Sequence, residues 1–264
     1  MEQQAVSEQK RQRLFLLLCG IFLTNALIAE IIGMKIFSVE TLLGIPPAQL
    51  MIGGERLDFN MTAGVLNWPV VFITSDIINE YFGTKGVKRI SYLTAGFIVY
   101  TFITIYFSTQ LPPAEFWLDI NGTDAEGNPF NINEAFFRIF NQGLGIMIGS
   151  IVAFLLGQIL DVSIFAWLRR RTGSKYIWLR ATGSTMFSQL VDSFLVLTIA
   201  FYVFGNWDLK QIFSVGCINY LYKGCIAILL TPVLYIAHYF IDQYLGKDYA
   251  EKLSHHAAHD GEVL

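Results

Sequence analysis

Six apolar stretches constrain this chain more than any other feature. About 20 consecutive apolar residues cross a hydrocarbon core of about 30 Å. Runs of that kind cover residues 14–39, 61–82, 90–108, 140–168, 183–204 and 211–239. A 264-residue chain that is 54% hydrophobic and only 15% charged is too apolar for an ordinary soluble domain. The expected fold is an all-α polytopic membrane protein with six transmembrane helices. It would form one integral membrane domain followed by a polar tail over residues 245–264.

Charge distribution orients the bundle. Lys10, Arg11 and Arg13 ahead of Leu14–Leu18 imitate a signal peptide, but the apolar run continues to Val39. A signal core is about 7–15 residues, so an uncleaved first helix is expected. With the N-terminus inside, thirteen Lys and Arg fall in inner segments and three (Arg56, Arg138, Lys210) in outer ones. That bias puts both termini in the cytoplasm of a multi-pass inner-membrane protein.

The polar residues inside the spans are the next clue. The stretch from Asn67 to Gly83 has Pro69 near its head, then Asp76, Asn79 and Glu80 on one helical face with Phe72. A helix starting at Pro69 would be about 21 Å long, too short to cross. The span is therefore kinked at Pro69 or led in by non-helical chain, as in spans that line transport sites. Two later spans repeat one element. Gln158 and Asp161 share a face with Phe154 and Phe165, and Gln189 and Asp192 share one with Thr185 and Ser188. Running antiparallel, these spans are placed to face each other. In the last span Asn219 lies one turn before Lys223, the deepest cation.

A lone Gln, Asn or Ser in a membrane helix often only bonds a neighbour, for about 0.6–2 kcal/mol. The set carries more weight. An ionisable group at mid-bilayer costs about 2.5–3.5 kcal/mol on insertion scales. Four acids (Asp76, Glu80, Asp161, Asp192) outnumber the nearby cations. Such carboxylates must be protonated, hydrated in a cavity or satisfied by a ligand. A substrate site or ion path is expected, with Asp76 as the deeper ligand and Glu80 pairing with the basic loop Lys85–Arg89. Glu30 lies about 140° around the first helix from Asn25 and cannot share its face. His238 and the tail histidines (His255, His256, His259) read as solvated or interfacial groups. Cys19, Cys217 and Cys225 sit in apolar runs without metal-type spacing. No cofactor, metal or nucleic-acid partner is expected.

Other classes fit less well. A membrane aspartyl protease would carry Gly-x-Gly-Asp, and a metalloprotease His-Glu-x-x-His; the chain has neither, and no Walker motif. A substrate-binding subunit that needs a separate energising module remains as the second reading.

The block Thr74-Ser-Asp-Ile-Ile-Asn-Glu-Tyr-Phe-Gly83 after Pro69 resembles the queuosine precursor transporters, also called the vitamin uptake transporter family. Asn25 and Lys35 in the first span, Gln158–Asp161, Ser188–Asp192 and Lys223 fit the same pattern in order, over about residues 14–240. The long connection at 109–135, Asn67-Trp68 before the proline, and the His-containing tail depart from it. The resemblance implies a bacterial inner-membrane importer of 7-deazaguanines (preQ0, preQ1 or queuine) for tRNA modification. It also implies a fold similar to the binding subunits of energy-coupling-factor transporters, and allows a homodimer. A guanine-like edge offers paired N–H donors to a carboxylate and a carbonyl to a Gln amide. On that chemistry Asp76, Gln158, Asp161, Gln189, Asp192 and Asn25 are the expected binding groups, with Phe72 and Phe154 stacking on the ring. Glu80, Lys223, Asn219 and Ser188 would balance charge or gate.

Overall fold

The computed structural model describes residues 2–52, 54–141, 144–172, 176–203 and 207–259. Gly143, Lys175, the turn residues Gly205 and Asn206, and residues 260–264 lie outside these. In chain order the helices are α1 (Glu2–Ile32), α2 (Val39–Leu43), α3 (Trp68–Thr109), α4 (Glu115–Ile120), α5 (Ile132–Asn141), α6 (Leu144–Thr172), α7 (Ile177–Leu197), α8 (Leu209–Leu245) and α9 (Lys247–His259). A π-helical turn, Thr198–Val203, continues α7. Between α1 and α3 lie β1 (Ile36–Ser38), β2 (Leu50–Ile52), β3 (Glu55–Leu57) and β4 (Asn60–Thr62), pairing antiparallel as β1–β4 and β2–β3. The protein is an all-α polytopic membrane fold, and among the described residues five helices are long and apolar enough to cross a bilayer.

The longest of the five is α3, and it is not one rod. Gly83, at φ 72° and ψ −178°, interrupts it. Eight residues of continuous helix rise about 12 Å, yet Ile78 Cγ2 lies 3.3 Å from where a Cβ on Gly86 would sit. The chain therefore folds back at a single residue, giving a first arm (68–82) and a second arm (84–109). Both arms flank α6. Ser75 and Asn79 of the first reach Gln158 and Val162, while Val87 and Ser91 of the second border the same α6 residues.

Several boundaries differ from those expected. The first helix ends at Ile32 rather than Val39, because residues 36–38 pair with β4 instead of continuing the coil. The second membrane helix begins at Trp68 rather than 61, preceded by β4 and a 3-10 turn, Ala63–Leu66, with Pro69 in its first turn where a missing N–H costs nothing. Lys85, Lys88 and Arg89 are helical, not a loop, since one glycine suffices for the reversal. Arg169, Arg170 and Arg171 form the last turn of α6, where cations suit the helix dipole. α8 starts at a capping box of Asp208 and Gln211 and runs on to Leu245. The polar tail is largely a helix, α9, docked on the bundle.

Packing follows the sequence periods. One stripe of α1 (Leu14, Leu18, Phe22, Ala26, Ala29) is buried, while Leu16 and Leu17 on the opposite face are exposed. The exposed apolar side chains of the long helices, such as Tyr100, Phe107, Leu229 and Phe240, are the lipid-facing surface. Ala250 and Ala257 of α9 are buried, and Tyr249 and Leu253 pack on the core beside them. At the other end Glu40 anchors the 36–62 segment. Its Oε1 accepts the Phe59 N–H at 2.6 Å and the Ala48 N–H at 3.4 Å, and its Oε2 accepts Ser38 Oγ at 3.1 Å.

Two expectations follow. Gly83 occupies a backbone region that essentially only glycine enters, and a Cβ there would lie 3.3 Å from the Ala257 carbonyl oxygen. Gly83→Ala should therefore cost about 1–3 kcal/mol, read as a lower thermal midpoint in detergent. The Phe59 N–H holds the Glu40 carboxyl below its usual range, with Ser38 and Ala48 adding to it. A lowered folded pKa contributes stability above the unfolded value of about 4.3, lost as pH falls through the folded value. Hydrogen-exchange protection of the Phe59 amide should thus hold at neutral pH and fall below about pH 4. Glu40→Ala, which leaves no acceptor, should remove it at neutral pH.

Candidate functional site

A cleft opens where the first arm of α3 meets α7 and α8. Phe72, Ile73 and Asp76 form one wall, Ala181, Thr182 and Thr185 the second, and Ala227, Leu230, Thr231 and Leu234 the third. Its interior is about 20 Å³, room for about one water. Thr182 and Thr231 bridge α7 and α8 through their hydroxyls at 3.0 Å.

Asp76 is 6% exposed, and its Oδ1 is fully buried without a hydrogen-bond partner among the described residues. Asp161 and Glu80 are its charged neighbours. Asp161, on α6, accepts Ser188 Oγ of α7 at 3.2 Å. Gln158, one turn from Asp161, takes Ser75 Oγ on its amide oxygen at 3.0 Å, which leaves its NH2 as the donor end. The amide oxygen of Gln189 is buried without a partner among the described residues. Asp76, Gln158, Asp161 and Ser188 thus converge from three helices beside the cleft.

The remaining candidates have other partners, Phe72 on the cleft wall included. Asp192 forms an ion pair with Lys223 of α8, about one turn further along α7, and sits against Gly157 of α6. Asn219 is half-buried on α8, one turn from Lys223. Phe72 stacks on Trp68 with ring centroids 6.0 Å apart, and Phe154 packs behind them against Trp68 and Phe22. Asn25 accepts from the Asn67 amide at 2.9 Å and donates to the Ile21 carbonyl. It ties α1 to the lead-in of α3 rather than facing the cleft. Glu30 accepts Ser150 Oγ at 2.5 Å and is near Asp192.

The basic end of the bundle holds what sequence reasoning missed. Arg169 is 4% exposed, not part of a solvated loop. Its guanidinium donates to the carbonyls of Asn79 (3.2 Å) and Glu80 (3.0 Å), to Glu80 Oε1 (3.3 Å), and to Ser254 Oγ (2.7 Å) and the Ser254 carbonyl on α9. Ser254 Oγ also donates to Glu80 Oε1 at 2.8 Å. Glu80 therefore pairs with Arg169, not with Lys85–Arg89, because its face of the arm points toward α6. His238, expected to be solvated, is buried against Tyr81 of the first arm. On the flank Tyr249 of α9 donates to Glu8 of α1 at 2.9 Å, and burial together with that bond pushes its hydroxyl pKa up. α9 thus touches α1, α3, α6 and α8 and lies across this end. The spacing 154, 158, 161, 165, 169 is a single helical face and was the available signal for Arg169.

Breaking one side of a buried ion pair costs about 3–5 kcal/mol, because the other charge is left uncompensated. Arg169→Gln should therefore destabilise the purified protein by about that much. Adding Glu80→Gln should recover part of the loss, a coupling measured by a double-mutant cycle in thermal unfolding.

The family model described as "Putative vitamin uptake transporter" matches residues 62–237, which include both α3 arms, α6, α7 and most of α8. The chain is 29% identical over 188 residues to a Bacillus subtilis protein named "Probable queuosine precursor transporter", covering 69% of this chain and 74% of that one. It is 27% identical over 180 residues to a Haemophilus influenzae protein of the same name, covering 67% and 68%. It is 26% identical over 188 residues to the Escherichia coli "Queuosine precursor transporter", covering 68% and 73%. No solved structure gives a significant match. The apolar helices, the buried acids beside a cleft and the family match over two thirds of the chain agree: this chain belongs to the vitamin uptake transporter family, as a multi-pass transporter of the bacterial inner membrane and not an enzyme.

Proposed function

We propose that this protein imports queuosine precursors, 7-deazaguanine bases such as preQ0, preQ1 or queuine, into the cell for tRNA modification. The observation that carries the reading is Asp76, a buried carboxylate on a cleft wall with one oxygen lacking a partner among the described residues. An orphaned buried acceptor is costly. The adjacent N–H donors of a guanine-like edge would satisfy it in bidentate fashion. The names of three relatives support the same substrate class.

The other groups take roles consistent with that chemistry. Asp161 supplies a second acceptor, the Gln158 and Gln189 amides match the ring carbonyl and its neighbours, and Phe72 offers a face for stacking. Phe154 and Asn25 support the wall from behind. Asp192 and Lys223 cancel each other's charge, so that pair, with Asn219 and Ser188, serves as a brace or gate around the substrate. The orientation has six crossings, counting the α3 arms separately, and both termini in the cytoplasm. The basic end sealed by α9 then faces the cytoplasm. A cleft with room for one water must widen before a fused bicyclic base enters, so transport requires the first arm, α7 and α8 to move apart.

Uptake of labelled preQ0, preQ1 and queuine is the test, in a host that lacks both its own transporter and precursor synthesis. The wild-type gene should restore queuosine in tRNA. Asp76→Asn and Asp161→Asn should lower uptake by about 10²-fold or more, if each carboxylate contributes about 3 kcal/mol to substrate contact. Failure of all three compounds to restore queuosine would sink the reading. Uptake by the purified chain alone in proteoliposomes would exclude dependence on an energising module.

A further inference from the structure

We propose that Tyr81, His238 and Asp242 form a proton-binding site, separate from the cleft, that couples transport to a proton gradient. Tyr81 Oη donates to Asp242 Oδ1 at 2.6 Å and lies 2.9 Å from His238 Nδ1. A phenol has one hydrogen. With that hydrogen on Asp242, the Tyr81 oxygen accepts from Nδ1, so His238 carries its proton there. Neutral His238, neutral Tyr81 and ionised Asp242 sum to one negative charge. One added proton, on the imidazole or on the carboxyl, brings the sum to zero. The chain of hydrogen bonds lets that proton reside at either end, by reversal of the two bonds through the phenol oxygen. This is a one-proton store whose filled form is the neutral one.

Position gives the store its use. Tyr81 and His238 are buried, while Asp242 is half-exposed and supplies contact with the aqueous side. Tyr81 is on the arm that carries Asp76, and His238 follows Leu234 of the cleft wall by one turn of α8. The triad therefore ties together two of the three helices that bound the cleft, just below it. Occupancy by a proton changes the charge and bond directions of the tie that holds those walls in register.

Charged groups surround the triad on several elements. Glu80 and Arg169 face Tyr81 from its own arm and from α6, and they neutralise each other. From α1, Lys10 donates to the Tyr244 carbonyl at 2.9 Å on the adjoining turn of α8, and Glu8 is engaged by Tyr249 of α9. The other ionisable groups of α9 (Lys247, Asp248, Glu251, Lys252, His255, His256) are exposed.

The first measurement needs no substrate: infrared titration of the full-length protein in proteoliposomes. A protonated-carboxyl band should appear as pH falls in the wild-type minus Asp242→Asn difference spectrum. It should titrate at a displaced pH in His238→Gln and in Tyr81→Phe. The second measurement rests on the proposed function. For one proton per substrate, an inward gradient of one pH unit supports up to about tenfold accumulation of labelled base. Wild type should accumulate, and His238→Gln and Asp242→Asn should only equilibrate. Both variants should keep substrate counterflow near the wild-type rate, which a merely structural tie would not allow. A difference spectrum without that band, or gradient-driven accumulation retained by both variants, overturns the proposal. Absence of wild-type counterflow for every base would overturn the substrate reading instead, and the infrared titration would then decide the proton site alone.

Discussion

A guanidinium buried where three helices meet is the interaction on which the rest of this structure depends. Arg169 ends the α6 face that carries Gln158 and Asp161, and it turns back to bond the first arm of α3 and α9. An unpaired charge at that depth would be expensive. Its partners are therefore obligatory, and they set the rotation of each helix about its axis. With Glu80 drawn to Arg169, Asp76 four residues earlier is turned to the same side, toward the cleft and Asp161.

The acids divide by how they are neutralised. Glu80 has Arg169 and Asp192 has Lys223, so each forms an internal pair. Asp161 accepts from the Ser188 hydroxyl, and one oxygen of Asp76 has no partner among the described residues. Of these four, the two without a cation among the described residues lie beside the cleft, where on the proposed reading a transported solute supplies what the protein does not. In an apolar solvent this asymmetry sorts structural charges from working ones more reliably than polarity alone.

Much of this was legible in the residues. The apolar runs announced the helices, and the spacing of three placed Gln158 and Asp161 on one face of α6, where each meets a hydroxyl of a neighbouring helix. Two kinds of error remained. Basic residues suggest loops, yet Lys85–Arg89 are helical, and Arg169 is both helical and buried, because long side chains extend helices beyond the hydrocarbon core and can pair inside it. Partners far apart in the chain were also out of reach: nothing local in Tyr81, His238 or Ser254 says that they meet Asp242 or Glu80. Periodicity gives the face of a helix; it does not say which helix stands opposite.

The reversal at Gly83 has a mechanical consequence. A one-residue joint has almost no slack, and the backbone of Ala257 rests against it. The two arms of α3 therefore act as a lever with its fulcrum at the basic end. A tilt that moves Asp76 away from α7 swings the far end of the second arm through the lipid and presses on α9. On the proposed reading, solute capture beside Asp76 would be transmitted as a displacement at the seal.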